Sequence, residues 1–259
     1  MAFGSRLRAR ESRSRENSKK RKRKQRTGKK QVILVALAFW EDGRREVLDW
    51  QLARSRDHTQ WEVLLNRLVQ RGVQAEKGLK MIVRDGCGGL EEAVAYVYGS
   101  HVLDQRCVFH KLHNVASKVR SELKGKEKRE ERKQIMKEAS HIYQAQTALQ
   151  AQQRLYEWSD HWQQWAPEAV ATLNRDFEAT LVFYQLDTLT REWIRTTSLL
   201  ERANRAFRSK FRQAVIFGSQ IGADVALSLQ VLRLHTQWTK GSWWQVSHDL
   251  PFQVRELHP

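Results

Sequence analysis

The chain has 259 residues, 46 Lys and Arg against 29 Asp and Glu, and a formal charge of +17. That length accommodates one large domain or two small ones, and a charge of that sign selects polyanionic partners, nucleic acid first among them. Two cysteines, Cys87 and Cys107, exclude a disulfide framework and suit a reducing compartment. No apolar run approaches the ~18 residues of a membrane span, and no apolar core follows the charged N-terminus as it would in a secretory signal.

Residues 1–30 hold 14 basic and 2 acidic residues, so they supply most of the charge. Few apolar and many like charges predict a disordered tail. Its densest run is Lys19, Lys20, Arg21, Lys22, Arg23 and Lys24. Attachment to a phosphate backbone, a nuclear-import signal and no role at all remain open on composition. From Gln31 the character changes: QVILVALAF is a near-continuous apolar run and REVLDWQLA follows, a hairpin with Asp42-Gly43 in a primed turn. A run apolar on both faces belongs inside a sheet. Asp57 then starts a helix, with Gln60 completing a capping box, Trp61, Leu64, Leu65 and Leu68 on one face, and Gly72 closing it.

LKMIVRDGCGGL reads as a short buried strand ending on Asp85 and breaking into Gly86, Gly88 and Gly89, with Leu90, Ala93, Val94 and Val97 marking a helix beyond. An acidic residue there is either a metal-binding carboxylate, with glycines letting backbone and ligand approach, or a plain cap of the next helix. VLDQRCVFHKLHNV is another strand running into a helix, with Cys107 and His110 three apart. C-x-x-H is half a zinc site at best, with Cys87, His101 and His113 the nearby candidates for the rest, so packing and positioning is the favoured reading.

Residues 116–190 predict a charged helical block without strands, in which Trp158, Trp162 and Trp165 form a core stripe. REWIRTTSLLERANRAFRSKFR at 191–212 is a two-faced helix. At about 100° per residue, Glu201, Arg205, Arg208 and Arg212 fall in a stripe roughly 60° wide, opposite Leu199, Leu200, Ala203, Ala206, Phe207 and Phe211. Glu201 either pairs with Arg205 on a solvated face or is a metal-binding carboxylate beside phosphate-gripping arginines. A break at Phe217-Gly218-Ser219 leads to a last amphipathic helix through Leu227, Val231 and Leu234 to Trp238, and a short tail follows.

Three stretches carry a resemblance. Arg195–Arg205, RTTSLLERANR, is similar to the segment with the last acidic residue in bacterial Mutator-type (IS256-like) insertion-sequence transposases, R-T-T-N-x-x-E-R-x-N-R, with Ser198 for the Asn. The DGxxGL wording at Asp85 matches the segment of their second aspartate. Cys107, His110, Lys111 and Asn114 match their C-x-x-H followed by K-x-x-N.

The resemblance implies an α/β fold, a ribonuclease-H-like mixed sheet with a helical insertion before the last acidic residue. It makes Asp85 and Glu201 catalytic metal ligands for Mg²⁺ or Mn²⁺ in a two-metal site. It also implies DNA cleavage and strand transfer, DNA ends and target as partners, a homo-oligomer or co-assembly with an intact relative, and a bacterial cytoplasmic location. Arg205, Arg208 and Arg212 would neutralise phosphates, a role inferred from helix geometry. The expected domains are the tail 1–30, a core at 31–115, the insertion 116–190, the last core helices 191–238 and a tail at 239–259. In this fold a first strand carries the first aspartate, yet residues 1–41 contain no aspartate, only Glu11, Glu16 and Glu41. Asp42 and Asp49 do not match that position. The chain therefore reads as a truncated or frame-altered copy whose first ligand is missing, with a non-catalytic DNA-binding remnant as the rival reading.

Overall fold

The apolar run at 31–39 becomes strand β2 (Gln31–Phe39), and antiparallel β3 (Arg45–Ala53) pairs with it from Val32↔Ala53 to Phe39↔Arg45. The computed structural model describes residues 2–5, 31–40, 42, 44–187, 205, 207 and 219–240. The hairpin closes on a bond from the Trp40 N–H to the Arg44 carbonyl, 3.0 Å, so three residues span the turn and not two. The side chain of Asp42 makes this possible by accepting from the Arg44 N–H, 2.9 Å, and from Arg44 Nε, 2.6 Å.

The pairing slips between Ala36 and Leu37, which face Asp49 and Val47, leaving Leu48 as the extra residue of a β-bulge. The bulge has a definite effect on burial. Before it, the inward residue of β3 is the odd-numbered Val47; after it, Trp50 and Leu52 are inward, and all three join one core with Ile33, Val35 and Leu37 of β2. An unbroken period of two from Val47 would instead turn Asp49 and Gln51 into that core.

The chain divides into two compact units: Met1–Gly78 with Cys87–Gly99 and Ser198–Gln245, and Leu79–Gly86 with Ser100–Thr197 and Val246–Pro259. In the first, a short strand β1 (Ala2–Ser5) extends the sheet to the order β1-β2-β3 by antiparallel pairing with β2. The expectation of an unstructured tail is amended there, because β2 offers backbone groups that a neighbouring strand can satisfy. The rest of the basic stretch, Lys19 to Lys24 included, lies outside the described residues.

Helix α1 (His58–Gln70) begins at Asp57, whose carboxylate accepts from the Gln60 N–H at 3.0 Å. The expected reciprocal half of a capping box is replaced: the Gln60 side-chain oxygen accepts from Gln51 Nε2 at 3.2 Å. Arg67 of α1 ties the helix to β3 through Asp49, 2.9 Å, and the Trp50 carbonyl, 3.0 Å. Helix α2 (Gly88–Tyr98) packs on α1. A Cβ at Gly89 would lie 2.6 Å from the Arg56 carbonyl, so that glycine serves this close approach of backbones. The last helix, designated α7 (Gln220–Lys240), covers the sheet with Ala223, Leu227, Val231 and Leu234, and His235 Nε2 accepts from the Val47 N–H at 3.0 Å.

The second unit holds a parallel pair, β4 (Met81–Arg84) and β5 (Leu103–Arg106), in the register Arg84↔Arg106. Four helices follow: α3 (Val108–Glu122), α4 (Arg129–Ile142), α5 (Ala148–Trp162) and α6 (Pro167–Asn174). The boundary expected at 115/116 falls inside α3, because Leu112, Val115 and Val119 share a single core with Ile135, Trp158 and Leu173. Gln105 of β5 fastens the helices to the strands: its amide nitrogen donates to the Thr180 carbonyl, 2.8 Å, and its oxygen accepts from the Phe183 N–H, 2.7 Å.

The tryptophan stripe is corrected at one position. Trp158 and Trp162 are buried, and their indole N–H groups donate to the Ile135 carbonyl and to Glu138, but Trp165 is 61% exposed, with Lys128 5.8 Å from its ring centre. Trp165 lies one turn beyond the last buried position, where the chain leaves α5. No helix among the described residues is long and apolar enough to cross a membrane.

Candidate active site

Asp85 follows the last residue of β4, at the strand's carboxyl end, and is buried, with 9% of the residue exposed. The N-cap position of α2 is Cys87, which makes no side-chain bond to the helix start; its thiol donates to the Arg56 carbonyl at 3.3 Å. The preceding residue, Arg84, is 2% exposed and donates through Nε to both oxygens of Asp104, 2.7 and 2.9 Å. A buried guanidinium next to a metal-binding carboxylate would compete for it; here Asp104 already engages that charge.

Strand β5 ends beside β4 at the same level, and Arg106 there ion-pairs with Asp176, which follows α6. Its guanidinium lies over Gly86: a Cβ at that glycine would sit 2.6 Å from Nη2 and 3.0 Å from Cζ. Behind it Lys111 of α3, 1% exposed, donates to the Arg175 carbonyl. Burial pushes the Lys111 ammonium down to about 8, with Arg106 and Arg175 adding to that and Asp176 opposing it. The sequence reading named neither Arg106 nor Asp176; the signal available was only that Arg106 precedes Cys107 at a strand end.

Cys107 and His110 resolve into a helix start. The Cys107 thiol is fully buried and its sulfur accepts from the His110 N–H, 3.5 Å, while its own N–H donates to the Arg84 carbonyl, 2.7 Å. The three-residue spacing is thus that of an N-cap, which a sulfur lone pair can serve weakly. Among the described residues no three His, Cys, Asp or Glu side chains gather as a metal cluster, and both cysteines are free thiols. Of the K-x-x-N pair, Lys111 is buried and Asn114 exposed.

The carboxylate helix is described at two positions only. Arg205 is exposed and Phe207 is fully buried beneath β2 and β3, the faces expected of each. Glu201, Arg208 and Arg212 lie outside the described residues. Asp49, which does not match the position of the first ligand in the sequence, is engaged by Arg67 at 2.9 Å and Arg71 at 3.9 Å. An aspartate carboxylate such as that of Asp85 is of the donor type that suits a hard cation such as Mg²⁺.

A protein-family comparison places these features. Residues 18–241 match the model of the Mutator family of transposases. The transposase of insertion sequence IS905 from Lactococcus lactis is 28% identical over 75% of this chain and 46% of that protein. That of IS1201 from Lactobacillus helveticus is 24% identical over 80% of this chain and 53% of its own length. The IS256 transposase of transposon Tn4001 from Staphylococcus aureus is 26% identical over 83% and 52%. The chain therefore spans about half the length of the curated relatives it matches, and with the family match extending over most of its residues, it belongs to the Mutator family of transposases.

Proposed function

We propose that this chain carries the greater part of a DDE transposase catalytic region, which cleaves DNA strands and transfers them in the transposition of an insertion sequence. The observation that carries the reading is Asp85, at the carboxyl end of a parallel strand within the family match. The succession supports a ribonuclease-H-like sheet: an antiparallel hairpin, a helix, β4, a helix, β5, then a helical block before Glu201. Asp85 and Glu201 are the carboxylates that would hold Mg²⁺ or Mn²⁺, and when bound the ions supply Lewis-acid activation of the attacking and leaving oxygens. Arg205, Arg208 and Arg212 would bind DNA phosphates, as would Lys19, Lys20, Arg21, Lys22, Arg23 and Lys24. The site of action is the bacterial cytoplasm, on DNA ends and target, as a homo-oligomer or together with an intact relative.

One observation favours the second reading, a DNA-binding remnant or regulator of transposition. Strand β1 pairs antiparallel with the edge of β2, and its residues, Ala-Phe-Gly-Ser, include no carboxylate. Two ligands hold a divalent pair poorly. The 259-residue polypeptide is expected to bind DNA and Mn²⁺ weakly, to lose the Mn²⁺ signal in Asp85→Ala and Glu201→Ala, and to cut no family-type end. Supplying a strand with an aspartate should restore cutting. Unchanged Mn²⁺ binding in both variants overturns the ligand assignment. Cutting by the chain alone, abolished by Glu201→Ala, overturns the remnant reading and makes Asp49 or Glu46 the third acid.

A further inference from the structure

Within one unit, three cations converge where β4 and β5 end. Arg106 comes from β5, Lys111 from the first turn of α3 and Arg175 from just past the end of α6, and among the described charges that act on Lys111 Asp176 opposes these cations. The described part of this group therefore carries an excess of positive charge, and Arg106 and Lys111 are buried enough to feel it: Arg106 is 12% exposed at its side chain and Lys111 1%. Excess buried charge of one sign is costly without a counter-ion.

The counter-charge present is itself held in a strained way. Asp176 has φ +51, the one described non-glycine residue in the left-handed region, a strained conformation that is retained where the surroundings demand it. Its carboxylate is 47% exposed, so it lies over Arg106 from the solvent side. A carboxylate and a phosphate present the same oxygens to a guanidinium fork. Arg106 in turn rests on Gly86, the residue after Asp85, where a side chain would displace it.

We propose that Arg106, backed by Lys111, is the seat for one DNA phosphate beside Asp85, and that Asp176 occupies this seat until DNA displaces it. The inference rests on the DNA-transposition reading and adds to it a phosphate-positioning residue and an internal competitor. Arg106 touches the phosphate; Asp176 acts through Arg106 and is a positioning residue. In this arrangement Asp176, which follows α6, reports DNA occupancy at the end of the strands.

The test measures binding of the full chain to a short random-sequence DNA duplex as salt is varied. Removing one phosphate contact lowers the slope of log affinity against log salt by about one. Arg106→Ala is expected to bind about tenfold more weakly with the slope reduced by that amount. Gly86→Ala, which keeps every charge and displaces only the guanidinium, should lose affinity in the same direction, and it serves if Arg106→Ala fails to fold. Asp176→Asn should bind about threefold more tightly. A purely structural ion pair would give the opposite sign, because losing the brace could only weaken binding. Unchanged or weaker binding by Asp176→Asn, or an unchanged slope in Arg106→Ala, overturns the proposal. If the unaltered chain fails to bind DNA, the transposition reading itself falls.

Discussion

Lys111 stands out among single residues because its charge is held in the wrong medium. The folded ammonium titrates at about 8, below its ordinary 10.5, chiefly through burial. Between those two values the unfolded chain binds the proton more than the folded one does, so stability attributable to this group rises with pH there; below about 8 the full cost of a buried charge is present. Relative to Lys111→Met, the unaltered protein should gain stability from pH 8 to pH 10 in parallel denaturant titrations. A difference independent of pH would place the ammonium in water. The spacing of Lys111 from Cys107 was legible in the sequence, but its burial was not. A lysine one turn into a helix is exposed unless another segment covers it, and here the Arg175 carbonyl meets it from 64 positions away.

At the element scale the β2–β3 hairpin is the clearest case of a local pattern completed by a non-local device. Alternation and the apolar run specify two strands, but parity on β3 changes at Leu48, and only pairing with β2 reveals where. Deleting Leu48 removes the extra residue and leaves Val47, Trp50 and Leu52 alternating on the face that packs under Phe207, Leu227 and Val231, with Asp49 and Gln51 still outward. A cooperative thermal transition should therefore survive this deletion, and one glycine added within the 41–44 turn should likewise shift the midpoint little. Loss of the transition on deleting Leu48 would show that the bulge itself, and not only the parity of the strand, holds the sheet together. Helix ends were read more faithfully than the turn: Asp57 caps α1 and Gly72, at φ +92, closes it. Cap chemistry is decided within three residues, whereas the turn's width depended on where the strands ceased to pair.

For the whole molecule the question is how the basic tail and the folded units share the DNA. The charge of residues 6–30 is dense, and its contribution to binding should be electrostatic and without sequence preference. Deleting residues 1–30 should weaken binding to random-sequence DNA and flatten its salt dependence by several contacts' worth, while the smaller change expected of Arg106→Ala should persist in the shortened chain. An unchanged slope after the deletion would show that the tail does not touch phosphate. Because β1 is lost with the same deletion, replacing only Lys19 to Lys24 by glutamine separates the effect of charge from that of the strand.

Local chemistry in the sequence was sufficient for several things: strands β2 to β5, the Asp57 cap of α1, the apolar faces of α1 and α7, and the three motif stretches that mark the Mutator family. Each depends on residues within about one or two turns of one another, where spacing alone determines which side chains share a face. Tertiary structure decided the rest. It turned Cys107 and His110 into a helix start, moved Trp165 from the core to the surface, and assigned Asp104 and Asp176 to buried guanidinium groups. Those outcomes depend on burial and on partners 20 to 70 residues away, and the free energy of a charge is set by what surrounds it in space rather than by its neighbours in the chain.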